Sequence, residues 1–129
     1  MAGNLLLDTN VVVALLAGDP EIRASLSQAH LTFLPSIVLG ELYYGAWKSR
    51  QKEANSAKIE ALAAKSAVLP VDAVTAWHFG QIKSGLKAKG RPIPENDIWI
   101  AALARQYSLT LLTRDQHFKE VDGIEPQSW

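Results

Sequence analysis

Three short, largely apolar runs constrain the fold most tightly. Leu5-Leu6-Leu7, Leu31 to Leu34 and Leu109 to Thr113 are each only a few residues long, and none shows a clean alternation of apolar and polar side chains. Runs of this kind belong to strands covered on both faces. Val68 to Val71 is a further strand, and Pro70 places it near an edge or a strand end. Between these runs the pattern turns helical. Asn10 to Leu16 is stopped by Gly18, and Asp19-Pro20 opens a second helix to about Ala29. Ser36 is read as the cap of a third, with Ile37, Leu39, Leu42, Tyr43 and Ala46 on its apolar face. Lys52 to Lys65, a long segment from Asp72 to about Ala88, and Asp97 to Tyr107 complete the set. Lys89 to Pro94 is a connector, and the tail through Ile124 adds a short last strand. Strands alternating with helices predict a three-layer α/β/α fold around a central parallel sheet of four or five strands. The 129 residues are expected to form one domain, 1–129.

Composition removes several chemistries. The chain has no cysteine, so disulfides, thiolate metal sites and a cysteine nucleophile are excluded. A share of 48 % apolar and 20 % charged residues argues against disorder. No apolar run approaches the roughly 20 residues that span a bilayer. Met1-Ala2-Gly3-Asn4 brings no basic side chain ahead of the first apolar run, so no signal peptide and a cytoplasmic location are expected. The net charge of zero hides a segregation. From Lys48 to Arg91 nine basic residues face three acidic ones, and the remainder of the chain is correspondingly acidic. A cationic face beside an acidic cluster can hold a polyanion, and solvated helices with long stems explain the same counts.

The acids carry the chemistry. Two strands run into carboxylates at their exits, Leu5-Leu6-Leu7-Asp8 and Leu111-Leu112-Thr113-Arg114-Asp115. Ligands of such sheets sit beyond the carboxyl ends of the strands. Glu41, about one turn into the helix opened at Ser36, and Asp97, in a first helical turn, can reach the same end. Taken singly, each has a plainer explanation. Asp8 can cap a helix, Glu41 can lie on a wet helix side, Asp97 can be a first-turn acid, and Asp115 can pair with Arg114. Taken together, four convergent carboxylates need a cation, and oxygen-only donors suit Mg²⁺ or Mn²⁺ rather than zinc. Such a site can activate water and stabilise a phosphoryl group. Asn10 and Thr113, with Thr9 and Asn96, are placed to orient carboxylates or waters. Turn chemistry explains them equally, and for Asn96 explains it better. His30, His78 and His117 show no metal-ligand spacing; His117, near Asp115, can line the cleft, and a peripheral place is the plainer expectation.

Other site chemistries fit less well. A phosphatase with an aspartate nucleophile wants a second Asp where Asn10 stands. Neither a Gly-x-Gly-x-x-Gly turn nor a P-loop follows the first strand. A non-catalytic RNA-binding or scaffold protein and a DNA-directed nuclease remain as alternatives.

Four segments, in order, resemble the motifs of PIN-domain proteins, and specifically of VapC-type toxin ribonucleases. They are Leu6 to Asn10, Ser36 to Leu42, Asn96 to Ala102 and Leu112 to Phe118. The resemblance implies that Asp8, Glu41 and Asp97 form the main Mg²⁺ or Mn²⁺ site. Asp115 would complete it or help hold a second ion, with Thr113 and Asn10 in support. It implies an endoribonuclease that cuts single-stranded or looped RNA by metal-activated water, leaving a 5′-phosphate and a 3′-hydroxyl. It further implies a homodimer neutralised by a small VapB-like antitoxin. Tyr43, Tyr44 and Trp47 are offered as dimer or antitoxin surface, with core packing as the alternative for Tyr43 and Trp47. Trp77 and Trp99 are expected in the core. Lys83 to Arg91 is the expected contact for the RNA backbone.

Overall fold

A computed structural model describes residues 3–29 and 31–129; Met1, Ala2 and His30, on which two of the readings above touch, lie outside it. The strands are β1 (Asn4–Leu7), β2 (Leu31–Pro35), β3 (Ala67–Leu69), β4 (Thr110–Leu112) and β5 (Glu125–Gln127). The helices are α1 (Thr9–Leu16), α2 (Pro20–Ser27), α3 (Ser36–Lys48), α4 (Lys52–Lys65), α5 (Ala73–Lys89) and α6 (Glu95–Gln106). A 3-10 helix spans Gln116–Glu120. All strand pairs are parallel, in the order β3-β2-β1-β4-β5, and helices flank the sheet in three layers.

The order follows from burial. Leu5, Leu6 and Leu7 are each at most 1 % exposed, so β1 must take the middle of the sheet. The chain builds outward through β2 and β3, then returns to add β4 and β5 on the other side. The direction of winding therefore reverses at β1 and β4, and a crevice opens beyond their carboxyl ends. α6 supports this point from behind. Its run Ile100-Ala101-Ala102-Leu103-Ala104 is buried throughout, and the alanines let neighbouring elements approach closely.

Helix starts depart from expectation in two places. Pro35, not Ser36, occupies the cap position of α3, and Ser36 is its first helical residue with no side-chain cap bond. Proline ends β2 with a φ of −63° already suited to the turn. α6 begins at Glu95 rather than Asp97 for the same reason, since Pro94 stands at its cap and its carbonyl accepts from Asp97 N at 3.0 Å. Asp72 does cap α5, in a reciprocal box with Thr75, and Gly90 at φ +67° supplies the left-handed end. β3 stops at Leu69 before Pro70 and lies at the sheet edge. The last strand forms just beyond Ile124.

The aromatic residues also redistribute. Trp77 is 61 % exposed, and Trp99 is half-buried, stacked on Phe79 with centroids 3.9 Å apart, so neither belongs to the core. Tyr43 packs against the core from a half-buried position, whereas Tyr44 and Trp47 are exposed. Helical spacing identified one aromatic stripe but not which residues on it would be covered. Among the described residues no helix is long and apolar enough to cross a membrane.

Leu6, on the middle strand of the sheet, is fully buried. Leu6→Ala is expected to cost about 2–5 kcal/mol, read as a lower midpoint in urea denaturation with an unchanged slope.

Candidate active site

Because β1 is buried from Leu5 to Leu7, it presents a charge only at its exit. Asp8 stands there and remains 4 % exposed. Its Oδ1 accepts from Thr9 N at 2.8 Å, and its Oδ2 accepts from the Thr113 hydroxyl at 2.7 Å. The Thr113 oxygen in turn accepts from Asp115 N at 2.9 Å. Thr113 is itself buried, so its hydroxyl ties the exit of β1 to the exit of β4. Asp115 then caps the 3-10 helix, accepting from His117 N at 2.9 Å.

Two helices bring the other acids. Asp97 lies in the first turn of α6, and Glu41 in the second turn of α3. Asp8, Asn10, Glu41, Asp97 and Asp115 line one open cavity of about 380 Å³ with Thr9 and Val13. All four acids expected from the sequence therefore meet in one place. Asn10 lines the cavity with its Oδ1 buried and without a hydrogen-bond partner among the described residues. Thr113 stands behind Asp8 rather than in the lining. Asn96 is exposed and outside it, as its role in the helix start implies. Glu95 pairs with Lys83.

The electrostatics are those of a crowded anionic cleft. Asp97 is pushed up from 3.8 to about 6, first by burial, then by Asp8 and Asp115, with His117 acting against the rise. Burial also raises Asp8; its Thr113 and Thr9 bonds oppose this, and Asp115 adds to it. Glu41 is raised by burial and by Asp8, with Thr9 opposing. No lysine or arginine is among the lining residues. Carboxylates in this state, with a buried acceptor beside them, fit a divalent cation of the hard, oxygen-preferring kind.

His117 departs from expectation. Its Nδ1 is 3.0 Å from Asp115 Oδ1 and 3.5 Å from Asp97 Oδ2, so it stands against two of the acids at the rim of the cavity they line. Ligand atoms of Asp97, Asp115 and His117 all fall within 4.8 Å of one another, a group that can hold a metal ion. The signal was the Asp-x-His spacing directly after a strand exit. His78 is engaged elsewhere, accepting from Arg105 Nε at 2.9 Å. The basic stretch is partly neutralised: besides Lys83, Lys89 pairs with Asp122 at 3.3 Å and donates to Glu120 O. Lys87 and Arg91 are exposed.

A PIN domain model matches residues 5–124. Ribonuclease VapC2 of Haemophilus influenzae is 39 % identical over 127 residues, covering 96 % of each chain. The chain belongs to the PIN-domain family, in its VapC group. A second VapC relative, named the tRNA(fMet)-specific endonuclease VapC of Shigella flexneri, is 36 % identical over 128 residues and 96 % of each chain. Among solved structures, DNA-bound VapBC from Salmonella typhimurium superposes with a TM-score of 0.89 at 34 % identity over 98 % of each chain. VapBC2 from Rickettsia felis, bound to a promoter DNA fragment, gives 0.90 at 27 % over the same coverage. VapC relatives together with the Asp/Asp/His cluster support a metal-dependent nuclease activity for this PIN domain.

Asp97 holds its proton more tightly in the folded chain than in the unfolded one. Stability of the protein in EDTA therefore falls as the pH rises from about 4 to about 6, and then levels off. Asp97→Asn removes that loss. Near pH 7.5 the variant is expected to be more stable by about 1–2 kcal/mol, after allowance for screening in the open cleft, with the gain absent near pH 4. Urea denaturation at the two pH values measures it.

Proposed function

We propose that this PIN domain is a Mg²⁺- or Mn²⁺-dependent endoribonuclease toxin acting on single-stranded or looped RNA. The observation that carries the reading is the meeting of Asp8, Glu41, Asp97 and Asp115 around one cavity that no lysine or arginine lines. Asp8, Glu41 and Asp97 hold the ion, and Asp115 completes the set or shares a second ion. A divalent cation bound there supplies Lewis-acid activation of water and neutralises charge at the phosphodiester.

The chain's own groups do the rest. Thr113 donates to Asp8 and holds its carboxylate in one orientation. Asn10, whose buried Oδ1 has no hydrogen-bond partner among the described residues, supports the carboxylates or a bound water. Asp97, at the α6 N-terminus, would be held as the carboxylate with a divalent cation beside it. Hydrolysis adds water across the P–O3′ bond: the phosphate stays on the 5′ oxygen and the 3′ oxygen leaves as a hydroxyl.

RNA as substrate is supported by relatives named as ribonucleases, one of them specific for tRNA(fMet). A VapB-like antitoxin as partner is supported by solved relatives that are toxin–antitoxin complexes. Exposed Tyr44 and Trp47 offer apolar surface for that partner or for a homodimer. Lys87 and Arg91 remain the candidates for an RNA-backbone contact. One domain spanning 1–129, acting in the cytoplasm, completes the proposal.

Purified antitoxin-free protein is expected to cut total cellular RNA into discrete fragments with Mg²⁺ or Mn²⁺ and not with EDTA. Asp97→Asn should reduce the rate by a factor of about 100 or more. Equal cleavage by the variant sinks the assignment of Asp97, and cleavage in EDTA sinks the metal. Thr113→Val is expected to weaken divalent binding about 10-fold by freeing Asp8, measured by calorimetric titration.

A further inference from the structure

We propose that His117 is itself a metal ligand, sharing one ion with Asp97 and Asp115, and that its nitrogen biases this site toward Mn²⁺ or a similar transition ion over Mg²⁺. The inference rests on the metal-nuclease reading above and names the ion that reading leaves open.

The local backbone aims the ring. Asp115 caps the 3-10 helix and accepts from His117 N, which holds the two residues in one turn. Phe118, fully buried, anchors the same turn in the core. Between these two restraints the imidazole swings back over the cleft, although half of its surface still meets solvent. Nδ1 is the atom that faces the acids, 3.0 Å from Asp115 Oδ1 and 3.5 Å from Asp97 Oδ2.

Those separations suit a shared ion. Two donors at right angles, each about 2.1 Å from a cation, stand about 3.0 Å apart. The Asp115–His117 pair already has that spacing, and the Asp97 oxygen is half an ångström wider. Asp115 Oδ1 also accepts from His117 N, which leaves its second lone pair for a cation. The side of the cleft formed by Asp97, Asp115 and His117 is therefore a mixed nitrogen and oxygen donor set.

Donor type sets ion preference. Mg²⁺ gives up water reluctantly and favours oxygen ligands. First-row transition ions gain from imidazole nitrogen. A ring that only hydrogen-bonded to the acids would help every divalent ion about equally. A ring that ligates helps Mn²⁺ selectively, and this difference separates ligation from positioning.

Pulsed electron paramagnetic resonance on the Mn²⁺-loaded protein tests the contact directly, with calorimetric titrations of Mn²⁺ and Mg²⁺ beside it. Wild type is expected to show nitrogen modulation of the Mn²⁺ signal, and His117→Ala to lose it. The variant should bind Mn²⁺ about 10-fold more weakly, with Mg²⁺ affinity changed less than about 2-fold. His117 is exposed enough for the variant to fold, and thermal denaturation checks that it does. Modulation that is absent from wild type, or that persists in His117→Ala, overturns the proposal. So does an equal loss of Mn²⁺ and Mg²⁺ affinity. Asp97→Asn separates the two readings: if it abolishes Mn²⁺ binding while His117→Ala leaves the signal unchanged, the carboxylate site stands and only the imidazole assignment falls. A wild type that binds no divalent ion overturns both.

Discussion

The hydroxyl of Thr113 is the joint on which the cleft depends. It donates to a carboxylate at the end of one strand and accepts from the main chain two residues past the end of another. The two residues it connects, Asp8 and Asp115, are separated by most of the chain. Neither strand exit alone holds a rigid geometry, since a lone carboxylate after a strand is free to rotate. With the hydroxyl buried between them, Asp8 loses that freedom and the turn leading to Asp115 starts from a fixed point. Parallel pairing of β1 and β4 makes the bond possible, because only parallel neighbours bring two exits to the same end.

The cleft is assembled against its own electrostatics. Three of its acids are raised above their ordinary range, each chiefly by burial and each further by another acid. A fold with only internal stability to satisfy would place such groups apart or beside lysines. Here the rigid sheet and the deeply buried α6 hold them together, and the cost falls on the apolar core behind them. The strain is local and open to relief by an external positive charge.

Much of this was legible in the residues. The leucine runs could only be covered strands, and an aspartate directly after such a run could only emerge at one sheet end. Glu41 and Asp97 were legible as acids near helix beginnings. Less legible were features that depend on proline geometry: Pro35 and Pro94 took the cap positions that hydrogen-bonding residues were expected to fill. Trp77 and Trp99 misled because an aromatic on a helix advertises contact without naming the partner, and Trp77 has its face to solvent. His117 was undervalued for a different reason. Its approach to the acids comes from a 3-10 turn, whose spacing is neither helical nor extended, so no periodic pattern in the sequence marks it.

The two margins of the sheet have a consequence for how such a molecule associates. β3 has three residues and runs straight into Pro70; β5 also has three, with Pro126 at its middle and charged Glu125 beside it. A proline offers no amide hydrogen to an incoming backbone, and three residues give too little ladder to template another strand. Both rims are thereby blunted against edge-to-edge growth into a continuous ribbon. Joining with another chain is left to side chains on the helices, where shape and charge choose the partner, and a concentrated solution of the protein is guarded from fibre formation by its own borders.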